Sequence, residues 1–115
     1  GDPLRGLDQA HVAAKRGGRV FRDPEVGCTK CHVAPLFTDL KSYDVGTAGP
    51  LDRDVKEFDT PTLVETWRTA PYLHDGSAAT LRDVLTTANK HGQHGKTSHL
   101  TADQLNDLIE YLLSL

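Results

Sequence analysis

The chain has 115 residues, a formal net charge of −3 and an apolar fraction of 37%. This length predicts a single domain over residues 1–115. Mixed-sign charge without a basic block argues against nucleic acid as a partner, and no apolar run approaches the ~20 residues that span a bilayer. Three phenylalanines, three tyrosines and one tryptophan are the only aromatic residues. The polypeptide alone would therefore form a thin core, which a bound apolar group would complete.

The first third of the chain predicts one helix and then a long loop. Residues 8–21 place alanines and basic side chains at helical spacing, which is typical of an amphipathic helix. Gly17 and Gly18 fall inside it, and a helical glycine costs about 1 kcal/mol relative to alanine. The pair indicates either close approach of another element or an early helix end at Gly17. Residues 23–57 are rich in Gly, Pro, Asp and Thr without a period, and they predict a loop.

Three further helices are expected in the remainder. The pair Thr60-Pro61 predicts a short helix through Trp67, and a turn over residues 70–76 separates it from a helix at about residues 80–87, capped by Ser77 or Thr80. A polar loop over residues 89–99 precedes the clearest helix. Thr101 and Gln104 form a capping box at its start, and an apolar stripe follows, which consists of Leu105, Leu108, Ile109 and Leu112. With no strand-like alternation, the predicted fold is all-α, with helices and long loops.

The segment Cys28-Thr29-Lys30-Cys31-His32 has the Cys-x-x-Cys-His pattern of covalent haem c attachment. Two thiols on one turn can each add to a porphyrin vinyl group, and the following histidine then reaches the iron from one side. The alternatives are a redox pair of cysteines or half a zinc site. The chain has no further cysteine to complete a zinc site, so the sequence predicts one covalent haem c with His32 as the proximal iron ligand.

The second axial ligand cannot be methionine, because the chain has none. The candidates are a second histidine, a tyrosine, a lysine or no protein ligand. His11 lies on the first predicted helix, where a solvated histidine is the simpler interpretation. His91, His94 and His99 precede the last helix, and Gly95 leaves room for the backbone near His94 to approach a flat ring. We therefore expect His94 as the distal ligand, with His91 next; the alternative is an exposed histidine-rich loop.

The chain resembles the haem-c domains of the dihaem cytochrome c peroxidase and MauG superfamily. The resemblance rests on the haem motif and on several flanking runs: Arg16 to Phe21, Pro35 to Asp39, Val45 to Thr47, Phe58 to Leu63, Trp67 to Leu81 and Leu112 to Leu115. The run from Thr69 to Leu81 is the most specific. The resemblance implies a cytochrome c fold, redox chemistry and export before haem attachment, hence a periplasmic or other extracytoplasmic location in bacteria.

Two departures from that family affect the expected function. Family enzymes carry two haem domains, whereas this chain has one attachment motif, and the peroxidases place an axial methionine near the position of Ala88. Closer relatives, often C-terminal domains of larger proteins, resemble the run from His94 to Ser98, which favours His94 over His91.

His74 lies in the most specific part of the resemblance, and it is expected around the haem propionates together with three neighbouring residues: Trp67, Arg68 and Tyr72. An arginine suits a carboxylate, and Trp or Tyr buries area while donating one hydrogen bond. The alternative is that Trp67 and Tyr72 only fill the core. The nearby Asp52 and Asp54 are interpreted as a solvated loop face rather than a metal site.

A six-coordinate iron favours electron transfer, with a redox protein or a neighbouring domain of the same chain as partner. The rival is a peroxidase-like enzyme whose sixth ligand exchanges, with Glu65 or a loop histidine as acid or base. A gas-binding sensor would likewise need an exchangeable ligand.

Overall fold

The computed structural model describes the backbone of residues 3–115 and the side chains from Asp8 onward. Three α-helices and two short strands follow one another along the chain: α1 (Pro3–Phe21), β1 (Ser42–Tyr43), β2 (Phe58–Asp59), α2 (Leu81–Leu85) and α3 (Ala102–Leu113). Single 3-10 turns lie at Cys28–Lys30, Thr66–Arg68 and Thr87–Asn89. Within residues 3–115, no helix combines the length and the hydrophobicity that crossing a bilayer requires.

The first and last helices pack against each other, and Gly17 marks their closest approach. A Cβ at Gly17 would lie 1.8 Å from the carbonyl oxygen of Asp107 on α3. Arg16 adds a two-point ion pair to the Asp107 carboxylate, at 2.8 and 3.0 Å. Of the two interpretations of the glycine pair, the close approach of another element is the correct one. Helix α1 continues through both glycines, and the missing Cβ of Gly17 leaves room for the backbone of α3.

The hydrophobic core lies beside the contact between α1 and α3. Its buried members come from three elements, and they are Phe21, Leu81, Leu85, Leu108 and Leu112. The ring of Phe21 packs against Tyr111 and Phe37, with centroid distances of 5.1 and 5.8 Å. Only Leu108 and Val26 combine a large side chain with nearly complete burial among the described residues. Such a small core agrees with the sparse aromatic composition.

The all-α prediction needs a correction, because β1 and β2 form a two-stranded antiparallel sheet. The helix predicted from Thr60 to Trp67 is wrong as well. Thr60 extends the strand pairing through its N–H, which donates to the carbonyl of Lys41 at 2.8 Å. Farther along, Glu65 has a left-handed φ of 59°, and only one 3-10 turn follows it. Two-residue strands are too short to produce a recognisable alternation, so their pairing depends on the long loop closing.

The two helices near the carboxyl end are confirmed together with their caps. Thr80 caps α2, because its hydroxyl accepts from the Asp83 N–H and the Asp83 carboxylate accepts from the Thr80 N–H. Thr101 and Gln104 form the expected capping box of α3. These boundaries are set by neighbouring side chains, and local sequence predicts them well.

Candidate functional site

The Cys-x-x-Cys-His segment forms a tight turn that a short connection, residues 22–27, separates from α1. Gly27, with φ of 87°, redirects the chain into the 3-10 turn, and the His32 N–H donates to the Cys28 carbonyl at 3.0 Å. Cys28 packs against the core, and burial raises the pKa of its thiol to about 11. The turn presents Cys28, Cys31 and His32 within one short segment, and the two cysteines form no disulfide with each other.

The His32 imidazole is fixed in orientation by the backbone of the following loop. Its Nδ1 lies 2.9 Å from the Phe37 carbonyl oxygen, and a carbonyl can only accept, so Nδ1 carries the proton. The other ring nitrogen then keeps its lone pair. Burial lowers the pKa of His32, although the hydrogen bond to Phe37 opposes the shift. The ring is therefore neutral near pH 7, which is the form that binds metal ions.

The His94 imidazole approaches His32 from another loop. Burial lowers the pKa of His94 to about 4, and the charge of His32 contributes to the same shift. The His32 charge acts only when that ring is protonated, below neutral pH. The Nδ1 of His94 is fully buried and has no hydrogen-bond partner among the residues that the structure describes. A buried ring nitrogen without a partner is rare, and it commonly marks a site that binds something else.

The spacing of the two rings fits a metal between them. The centroids of His32 and His94 lie 6.4 Å apart, and the ring planes are inclined by 37°. Two imidazoles that bind one metal ion from opposite sides at about 2.0 Å would have centroids about 6 Å apart. This spacing fits a haem iron between the two rings.

The other histidines lie elsewhere. The side chains of His11, His91 and His99 are exposed. His91 lines the rim of a cavity of about 310 Å³ between residues 45–48 and 87–93. Ala88, at the position where the resemblance predicts a methionine in peroxidases, lines the same cavity and supplies no ligand atom.

The four residues expected around haem propionates have other partners in this structure. Arg68 pairs with Glu65 at 2.6 Å, and the Tyr72 hydroxyl donates to the carbonyl of Thr66 at 3.0 Å. The side chain of Trp67 is 56% exposed. The assignment of these residues to the propionates stays a prediction.

His74 is the remaining member of that set and lies in a polar cluster. Its Nε2 is 2.9 Å from the Asp52 carboxylate and 3.8 Å from that of Asp75, and its ring stacks on Phe58 at 3.7 Å. Asp52 also accepts the Gly49 N–H at 2.7 Å. The cluster thereby links the loop before β2 to the turn that precedes α2.

One residue of the site escaped the sequence interpretation. Asn89 is buried with 8% exposure, and its side chain donates to the carbonyl of His94 and accepts from the N–H of His94. Asparagine is common in polar loops for many reasons, so its presence at position 89 did not indicate a role in the site.

Comparisons with known proteins place the chain among haem proteins. Residues 58–93 match a family model described as RoxA-like, cytochrome c-like. Hydrazine synthase subunit gamma of Kuenenia stuttgartiensis is 37% identical over all of this chain and 44% of its own length. The methylamine utilization protein MauG of Methylophilus methylotrophus is 31% identical over 89% of this chain and 32% of its own length.

A solved structure agrees with these sequence relatives. In the hydrazine synthase of Kuenenia stuttgartiensis, one chain superposes on 90% of this chain with a TM-score of 0.81 and 36% identity. This chain covers 46% of that one. It therefore spans less than half the length of the relatives that it matches.

Proposed function

Since the chain belongs to the haem-c domains of the dihaem cytochrome c peroxidase and MauG superfamily, we propose that it is a monohaem electron-transfer domain with His32 and His94 as axial ligands. Cytochrome c-like domains of this family bind haem c covalently. The single attachment motif of this chain accounts for one such haem. Cys28 and Cys31 are the proposed attachment points.

The pairing of the two histidine rings carries this proposal. His94 and His32 lie at the separation that suits a shared iron, and burial keeps both imidazoles neutral. No methionine competes for the sixth position, because the chain contains none. With both axial positions filled by side chains, a peroxide or gas molecule finds no free site, and the transfer of single electrons is the remaining chemistry.

Each ligand has a separate support. The Phe37 carbonyl accepts the Nδ1 proton of His32, which fixes the tautomer and strengthens the lone pair on the opposite nitrogen. His94 reaches the same region from the loop before α3. The haem, when bound, supplies an iron that alternates between the ferric and ferrous states. Two imidazoles favour the ferric state more than an imidazole and a thioether do, so the reduction potential should be lower than that of a His/Met cytochrome.

The proposed partner is a redox protein or a neighbouring domain of the same polypeptide. Neighbouring domains are plausible on length alone, because the matched relatives are more than twice as long as this chain. The proposed location is periplasmic or otherwise extracytoplasmic, which follows from covalent haem attachment to Cys28 and Cys31.

Optical and low-temperature EPR spectra of the ferric holoprotein test the ligation. We expect a low-spin bis-imidazole spectrum, which becomes high-spin in His94→Ala and stays low-spin in the matched control His91→Ala. Carbon monoxide should bind the ferrous His94→Ala protein rapidly and the wild type slowly.

Two results would contradict the proposal. A high-spin wild type would favour the peroxidase-like or gas-binding alternative with an exchangeable ligand. A spectrum that changes only in His91→Ala would transfer the distal role to His91.

A further inference from the structure

We propose that Asn89 is a positioning residue that holds His94 over the iron, an inference that rests on the proposed ligation. Asn89 ends the 3-10 turn after α2, five residues before His94. Its carboxamide lies between α2 and the loop that carries His94, so it can fix the loop relative to the helical core.

The carboxamide of Asn89 is saturated by the backbone and one hydroxyl of that loop. Its Oδ1 accepts the His94 N–H at 2.9 Å. Its Nδ2 lies within bonding distance of the carbonyls of His94 and Gly95, at 3.1 and 2.9 Å, and of the Thr97 hydroxyl oxygen at 3.2 Å. Both peptide groups of His94 are thereby held by one side chain, which restricts the direction in which the imidazole leaves the backbone.

The loop is anchored to the rest of the fold at two further points. The buried Thr97 hydroxyl donates to the Leu85 carbonyl on α2 at 2.7 Å. The Lys96 N–H donates at 2.8 Å to the carbonyl of Val26, two residues before Cys28. Gly95, with φ of 81°, brings its backbone so close that a Cβ would lie 3.2 Å from the same Val26 oxygen. The loop that carries His94 is therefore hydrogen-bonded directly to the segment that precedes Cys28. The bonds of Asn89 hold the same loop at a further point.

An amide is the side chain that suits this position. It combines one acceptor and two donor hydrogens, and Asn89 uses both kinds. Aspartate would keep the bond from the His94 N–H but would lose the donated bonds, and alanine would lose them all. Because Asn89 is buried, movement of His94 away from its place would leave polar groups unsatisfied, and this disfavours release of the ligand.

Carbon monoxide binding to the ferrous holoprotein measures this effect, since a bound His94 must leave the iron before the gas can bind. Stopped-flow mixing at saturating carbon monoxide gives the rate of ligand release. We expect the rate to rise at least tenfold in Asn89→Ala, which corresponds to about 1.4 kcal/mol. Asn89→Asp should raise the rate as well, because its buried carboxylate would face the carbonyl oxygens of His94 and Gly95. Asn106→Ala, on the exposed face of α3, is the matched control and should leave the rate unchanged.

A control must show that Asn89→Ala acts on the position of His94 and not only on the stability of the fold. Leu112→Ala weakens the core without touching the loop, and its carbon monoxide rate should remain that of the wild type. Added imidazole should restore a fully low-spin ferric spectrum in Asn89→Ala, because it replaces a misplaced ligand.

The outcomes separate this inference from the proposed function. If the wild type is low-spin and His94→Ala is high-spin, but Asn89→Ala releases the ligand at the wild-type rate, the positioning role is wrong and the ligation stands. An equal acceleration in Leu112→Ala would also overturn the positioning role. If His94→Ala leaves the spectrum unchanged, the ligation fails first.

Discussion

Replacing Gly17 with alanine should separate the two packed helices and destabilise the domain. The new Cβ would lie 1.8 Å from the Asp107 carbonyl oxygen, 2.4 Å from its carbonyl carbon and 2.9 Å from the Leu108 nitrogen. All three are backbone atoms, so no side-chain rotation relieves the overlap. Ordinary contact begins at about 3.5 Å, so the helices would have to move apart by roughly 1.5 Å.

The size of the effect follows from two opposing contributions. Overpacking costs about 3 kcal/mol where the backbone must shift, whereas alanine is favoured over glycine in a helix by about 1 kcal/mol. The net expectation is a loss of about 2 kcal/mol in the free energy of unfolding, or about 8 °C in Tm for a domain of this size.

Gly18→Ala is the matched control on the same helix. There the new Cβ would meet Arg22 Nη1 and Tyr111 Cε2, both at 3.1 Å, and these side-chain atoms can give way. We expect its stability to stay within about 0.5 kcal/mol of the wild type, because the helical preference of alanine offsets the small adjustment. Urea unfolding of the ferric holoprotein, followed by circular dichroism at 222 nm, measures both variants. Equal stability of the two variants would refute the assigned helix contact.

Three further predictions concern the hydrophobic core, the N-cap of α3 and the loss of stability at acidic pH. Leu108→Ala empties a site with 0% exposure and should cost about 3 kcal/mol in urea unfolding; a loss below 1 kcal/mol would contradict the assigned core. Thr101→Ala should cost about 1 kcal/mol while Thr101→Ser retains the cap, and equal losses would argue against the hydroxyl's role.

The pKa of Asp52 is lowered by the Gly49 N–H and by His74, so its stabilisation is present above the unfolded pKa of about 3.9 and is lost as pH falls through the folded value. Tm should therefore fall less steeply below pH 4 in Asp52→Asn than in the wild type or the charge-matched Asp54→Asn, and a parallel decline would count against the pairing.

The sequence predicts those parts of the fold whose causes lie close together in the chain. The caps of α2 and α3 depend on residues three positions apart, and both helices begin where predicted, although α2 ends at Leu85, two residues before its predicted end. The glycine pair in α1 predicts a close neighbour, although it does not say which element that is. By contrast, Thr60-Pro61 resembles a helix start but lies in an extended segment. The deciding bond there is the one to Lys41, nineteen residues earlier, and local propensity contains no information about it.

The candidate site likewise contains residues that the sequence identifies and residues that it does not. The attachment motif is contiguous, so Cys28, Cys31 and His32 are visible without a structure. His94 lies beside His32 although sixty-two residues separate them in the chain, and its role as the distal ligand stays a prediction. Asn89 was missed because its bonds follow from the path of a loop, and one asparagine in a polar segment looks like any other.

If the domain is exported as proposed, the packing of α1 on α3 also constrains how it matures. Its core joins Phe21 to Leu108 and Leu112, so in an exported chain the interior cannot close until α3 has followed α1 across the membrane. The Cys28 thiol, whose pKa is about 11 once folded, is more reactive in the open chain. A haem-attaching machinery that meets the emerging segment near residue 28 would thus act during an interval that ends when the last helix arrives.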